Sequence, residues 1–171
     1  MKFILTILLL ITQSYASMDK ITSFEADFTQ NIKDEKDKVL SYKGHVTAHK
    51  PQFAKWAYKT PVEKYIYISP FAITIVEPEI EQVIVRKIES NFNFFQLIKN
   101  AKEVAKDTYE ANYKNTKFTI KKESDLIKSI SYIDEFENNV TILFENQKQN
   151  HRIELKVFNP RYPLEYDIVR D

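Results

Sequence analysis

Short runs with a two-residue period follow one another down most of this chain. That period belongs to strands with one face buried and the other wet. In "LSYKGHVTAH" (40–49), Leu40, Tyr42, Gly44, Val46 and Ala48 face one way, and Ser41, Lys43, His45, Thr47 and His49 the other. "FAKWAYK" (53–59) sets Ala54, Trp56 and Tyr58 against Lys55 and Lys59. "EKYIYIS", "AITIVEPE" and "VIVRKI" follow, then "DTYEANYKN", "KFTIKKE", "IKSISYID", "NVTILFEN" and "HRIELKVF". These runs are rich in branched and aromatic residues and are joined by polar turns such as "KDEKDK", "SD", "EFENN" and "NQKQN". Such spacing predicts an antiparallel meander.

Two segments break the rhythm. "SMDKITSFEADF" reads as a short helix running into a strand, with Ile21, Phe24 and Phe28 at helical spacing. "SNFNFFQLIKNAKEVAK" (90–106) reads as a second helix. Phe92, Phe95 and Ile98 share one face, Phe94 and Leu97 widen it, and Ser90 or Asn91 caps it. The expected fold is mainly β with helices (α+β): a long, curved antiparallel sheet forming an incomplete barrel, covered by a helical lid. Two helices are little material to fill the concave side, so the plan allows a hollow lined by Phe, Tyr, Trp and Ile. An aromatic-rich solid core is the competing reading.

The first 16 residues, "MKFILTILLLITQSYA", have a basic start, an apolar run too short to cross a bilayer, and a small-x-small site at Ser14 and Ala16. They are expected to be a cleaved signal peptide, leaving a single domain over 17–171 in the periplasm. Removing Lys2 with them leaves as many basic as acidic residues. That balance argues against a nucleic-acid partner. The chain has no cysteine, so it cannot carry the acyl chains of a lipid-anchored protein. Its single glycine, Gly44, excludes the glycine-rich phosphate cradles.

Catalytic constellations are weak. His45 and His49 share a strand face but stand roughly 13 Å apart at strand rise, and His151 is remote in sequence, so no metal site is expected. Glu77 and Glu79 fit a solvated strand end better than an acid–base pair. No serine sits in a sharp glycine-flanked turn. Neither an enzyme nor a cofactor is expected.

"SFEADFTQ" (23–30) resembles the opening phrase of LolA-type periplasmic lipoprotein carriers. "YKG" (42–44), "KPQFAKW" (50–56) with Pro61 following, "FFQLI" (94–98) and "FNPRYPLEYDIV" (158–169) resemble later phrases of that family, in the right order. The resemblance implies an incomplete barrel closed by helices, with a cavity for the acyl groups of lipoproteins. The implied partners are acylated lipoproteins, an inner-membrane lipoprotein-releasing ABC transporter and an outer-membrane acceptor, with the carrier a monomer. A carrier of another lipid or glycolipid on the same scaffold is the alternative. The expected pocket lining is Phe28, Tyr42, Val46, Trp56, Tyr58, Ile66 and Ile68, with Phe92, Phe95, Leu97 and Ile98 from the lid. Lys50 stands where the family has an arginine that latches the lid, and a lysine offers a point charge in place of a planar fork. Phe53 and Ala54 occupy the loop that, in the family, touches the transporter.

Overall fold

The computed structural model describes residues 18–87 and 93–170. The expected signal peptide and Phe92 lie outside them. The strands are β1 (Ser23–Lys33), β2 (Val39–His49), β3 (Phe53–Thr60), β4 (Lys64–Ile68), β5 (Ala72–Glu77), β6 (Gln82–Lys87), β7 (Lys102–Ala105), β8 (Thr108–Tyr113), β9 (Thr116–Glu123), β10 (Leu126–Ile133), β11 (Asn139–Gln149) and β12 (Asp167–Arg170). They make a single sheet in the order β12-β6-β5-β4-β3-β2-β1-β11-β10-β9-β8-β7, with free edges at β12 and β7. The sheet is not closed into a barrel. Every neighbouring pair is antiparallel except β12, which runs parallel to β6.

Hairpin turns are made without glycine. Asp34 and Asp134 make the same turn: each Oδ1 accepts from two backbone N–H groups, of Lys36 and Lys38 and of Phe136 and Asn138. The left-handed position is Asp37 (φ 62) in one and Glu137 (φ 63) in the other. An L side chain held there costs about 1 kcal/mol, which glycine avoids. Glu137→Gly is therefore expected to raise stability by up to about 1 kcal/mol, read as a higher urea midpoint. A lowered midpoint would contradict that cost.

The alternation predicted for the strands holds, and the inner face carries the main core: Phe24, Ala26, Phe28, Val46, Ala48, Ala54, Phe118, Ile120, Ile130, Val140, Ile142 and Phe144. A smaller cluster lies on the opposite face of β4–β6, where Tyr67, Val76 and Val83 pack under Tyr162, Tyr166 and Ile168 of the C-terminal segment.

The irregular segments differ from expectation in three places. The N-terminal helix is a single 3-10 turn, Met18–Lys20, and Phe24 and Phe28 belong to β1. Phe24 and Phe28 also fit a period of two, and pairing with β2 and β11 on both sides outweighs the local helical spacing. The middle helix is α1 (Phe94–Asn100), capped by Asn93, and "KEVA" beyond it forms edge strand β7. Branched Val104 and the hairpin with β8 favour strand there. "HRIELKVF" is no strand: it leads into a 3-10 turn, Leu155–Phe158, and the chain then crosses the outer face to β12.

Candidate functional site

The concave face has a covered part and an open part. The covered part lies under α1, which buries Phe95, Leu97 and Ile98 against the sheet and the 3-10 turn at Met18. An aromatic series runs beneath it. Phe94 lies 5.3 Å from Phe24, Phe24 lies 5.2 Å from Phe144, Trp56 lies 6.5 Å from Phe144, and Phe28 lies 5.1 Å from Trp56. Tyr58 lies 5.0 Å from Phe28 and 5.8 Å from Tyr42. Between Trp56 and the helix are hollows of about 20 and about 10 Å³, each near the size that holds one water. In this closed arrangement no hydrocarbon tail fits there.

The open part is the inner face of β4–β6. Trp56 stands opposite Ile66, Ile66 opposite Ile75, and Ile75 opposite Ile84. Ala54 stands opposite Ile68, which is opposite Ile73. These isoleucines are only partly buried. Ile66, Ile75 and Ile84 continue the apolar surface of Trp56 along this wing, whereas Ile68 lines a hollow with Phe94 and Phe95 of the lid.

The corner between β2 and β3 holds the lid. The Lys50 Nζ donates to the Asp19 carbonyl at 2.7 Å and lies 6.0 Å from the centre of the Phe95 ring. Asn93 is the second half of the clasp. Its Oδ1 accepts from the N–H groups of Phe95 and Gln96, and its Nδ2 donates to the Pro51 carbonyl at 2.7 Å. One side chain thus caps the helix and ties it to the sheet, satisfying donors that a helix start leaves open.

The residues expected from sequence fall in two groups. Phe28, Val46, Trp56, Tyr58, Phe95, Leu97 and Ile98 meet in or against the main core, with Tyr42 beside Tyr58 and Ile66 and Ile68 on the adjoining wing. Phe53 and Ala54 separate: Ala54 is buried under the helix, whereas Phe53 points outward and stacks 5.6 Å from Phe158. Sequence reasoning missed Ile73, Ile75 and Ile84. Their signal was the alternation of "AITIV" and "VIV", in register with Ile66. It also placed the cap two or three residues too early. Lys55, on the outer face, lies 5.6 Å from the Tyr65 ring and 5.4 Å from the Tyr67 ring, and burial pushes its pKa down.

The histidines lie away from the concave face. His45 Nδ1 donates to Asp27 at 2.8 Å, and its Nε2 lies 3.3 Å from Glu25. His151 Nε2 lies 2.9 Å from the other oxygen of Glu25. Among the described residues no group of His, Asp and Glu is arranged to hold a metal ion. The hydrogen bond from His45, with a second from Asn146, holds the Asp27 carboxyl below the usual range. A lowered folded pKa adds stability that is present above the unfolded value, about 3.9, and lost as pH falls through the folded value. Asp27→Asn is thus expected to lower the urea midpoint at pH 7 and to match the unmutated protein at pH 2. The difference is small, because Asp27 is about half exposed. A gap that widens in acid would contradict this sign.

Fold and site together define a class: an apolar half-barrel with a latched helical lid, suited to holding an apolar guest. The chain belongs to the LolA family. The family profile "Outer membrane lipoprotein carrier protein LolA" matches residues 19–161. The chain is 41% identical over 169 residues to the outer-membrane lipoprotein carrier protein of Campylobacter jejuni, covering 99% of both chains. It is 32% identical to that of Wolinella succinogenes, covering 91% of both. Among solved structures, an uncharacterized conserved protein from Thermus thermophilus shares the fold at a TM-score of 0.54 and 11% identity, over 90% of this chain and 93% of that one. A LolA superfamily protein from Nitrosomonas europaea shares it at 0.53 and 9% identity, over 84% and 94%.

Proposed function

We propose that this protein is a periplasmic chaperone that shields the acyl chains of lipoproteins and carries them from an inner-membrane ABC transporter to an acceptor at the outer membrane. The observation that carries this reading is the continuous apolar concave face, half covered by a short helix tied down by a few polar contacts. Relatives named as lipoprotein carriers over nearly the whole chain support it.

Magnitudes favour a lid that yields to cargo. Burying a methylene is worth about 0.8 kcal/mol, so one long acyl chain gains on the order of 10 kcal/mol on leaving water. The lid's three buried side chains gain roughly 1.5–3 kcal/mol each by closing, before the cost of ordering the helix. An empty carrier therefore closes, and an acyl chain displaces the helix. Loading from a bilayer is uphill, so the transporter supplies the energy. In this reading Phe28, Tyr42, Val46, Trp56, Tyr58, Ile66 and Ile68 line the acyl site, with Phe95, Leu97 and Ile98 as the movable cover. Lys50 and Asn93 hold the empty state shut. Lifting the helix uncovers Ala54 beside Phe53, where the transporter is proposed to dock.

The test is release. Spheroplasts carrying a labelled lipoprotein are incubated with the protein expressed without residues 1–16, and a soluble complex is sought in the supernatant. The expected result is a one-to-one complex whose native mass includes the acylated lipoprotein. A complex whose added mass is a free lipid or glycolipid would replace the cargo, and no complex of either kind would overturn the reading.

A further inference from the structure

A polar spot interrupts the apolar concave face at the end away from the lid. On β1 the inward residues Phe24, Ala26, Phe28 and Ile32 are apolar, but Gln30 stands between the last two. Gln30 lies opposite Tyr42 on β2 and opposite Ile142 on β11. Its Oε1 accepts from the Tyr58 hydroxyl at 2.9 Å. The two amide N–H bonds have no acceptor among the described residues. The Tyr42 and Tyr132 hydroxyls have no hydrogen-bond partner there either. Both lie near enough to Tyr58 to oppose its ionisation, and burial pushes the pKa values of Tyr58 and Tyr132 up, so these remain O–H groups. The cation beside the spot, Lys64, lies 5.1 Å from the Tyr58 ring centre.

Polar groups on an apolar inner face are costly unless a partner satisfies them. Here the polar atoms of Gln30, Tyr42 and Tyr132 are not sealed from water, so each offers a neutral donor that a guest covering the spot would have to satisfy. Neutral donors suit carbonyl oxygens. Position agrees: Gln30 is six residues along β1 from Phe24, roughly 20 Å at strand rise, so a tail ending under the lid places its carbonyl end near Gln30.

We infer that Gln30, Tyr42 and Tyr132 form a head-group site that hydrogen-bonds the ester and amide carbonyls joining acyl chains to the acylated cysteine of a lipoprotein, with the tails directed toward the lid. This rests on the carrier reading. It adds that the cavity reads how the chains are attached, which a purely apolar surface cannot do.

The experiment uses two synthetic lipopeptides with the same tails: a triacylated cysteine peptide with ester and amide carbonyls, and an analogue with ether links in place of the esters and the amide kept, so that no charge is added. The protein is expected to bind the carbonyl form about tenfold more tightly, as one to two net hydrogen bonds imply. Tyr42→Phe, Tyr132→Phe and Gln30→Glu, which keeps an acceptor for Tyr58, are each expected to reduce that ratio, with Tyr132→Phe, outside the acyl lining, leaving ether-lipopeptide binding unchanged. The ether form thereby reports whether each variant is folded and loadable. Equal affinity for the two lipopeptides, or variants that weaken both alike, would overturn the head-group site and leave the carrier reading intact. Failure of both to bind the unmutated protein would overturn the carrier reading, and the head-group site with it.

Discussion

Aspartate in place of Ile98 is expected to detach the lid and leave the sheet folded. Ile98 is 1% exposed and packs with Phe95 and Leu97 in the main core. A carboxylate buried among these apolar side chains costs several kcal/mol. Two responses are open: the sheet unfolds, or the helix swings out and hydrates the charge. The second is cheaper. Seven residues are too few to hold a helix alone, and α1 depends on its buried face and on the contacts of Lys50 and Asn93. The sheet rests on strand pairs that do not include the helix. The variant should bind an apolar dye many-fold more strongly and exchange the amides of 94–100 rapidly. The amides of β1, β2 and β11 should stay protected. A helix still protected, with dye binding unchanged, would contradict the lid assignment.

Alanine at Gly44 is expected to destabilise the whole domain, by about 3 kcal/mol, at the upper end of overpacking effects. Gly44 needs no unusual φ. What it needs is room. A methyl group there would stand 2.2 Å from the Ala57 carbonyl oxygen and 2.7–2.8 Å from the Phe28 ring. Phe28 lies directly across the β1–β2 pair from Gly44, and the β2–β3 register shifts at the same point. The glycine thus admits both the ring and the bend that turns the sheet. Neither contact relaxes easily, since one is backbone and the other a buried ring packed against Trp56 and Tyr58. The urea midpoint should fall steeply for Gly44→Ala and stay within about 0.5 kcal/mol for Ser41→Ala on the outer face. Equal, small effects would show that the bend does not depend on the glycine.

Much of this arrangement was legible because a sheet wet on one side writes its facing into the sequence. The inward series Tyr42, Gly44, Val46 and Ala54, Trp56, Tyr58 could be read residue by residue. The helix boundaries could not. "KEVA" fits both periods over four residues, and its pairing with β8 decides the matter. The strap from His151 to β12 was read as a strand because "RIELKV" alternates, but its partner is the outer face, where Phe158 meets Phe53 and Tyr162 and Tyr166 meet the Tyr67 cluster. That contact is set by tertiary packing alone. The isoleucines of β5 and β6 were visible as strand residues, and only cross-strand register joins them to Trp56. Gln30 carried no signal beyond being a polar residue at an inward position.

The central claim is that the concave face receives an acyl chain only when the helix lifts, and its most direct test is to hold the helix down. The chain has no cysteine, so cysteines placed at Gln52, in the latch corner, and at Gln96, exposed on the helix, would be the only thiols. A short reducible bismaleimide joins them, and uptake of the labelled triacylated peptide is measured before bridging, after bridging and after reduction. The account predicts uptake, loss of uptake and recovery. Uptake at the unbridged rate while the linker is intact would contradict it.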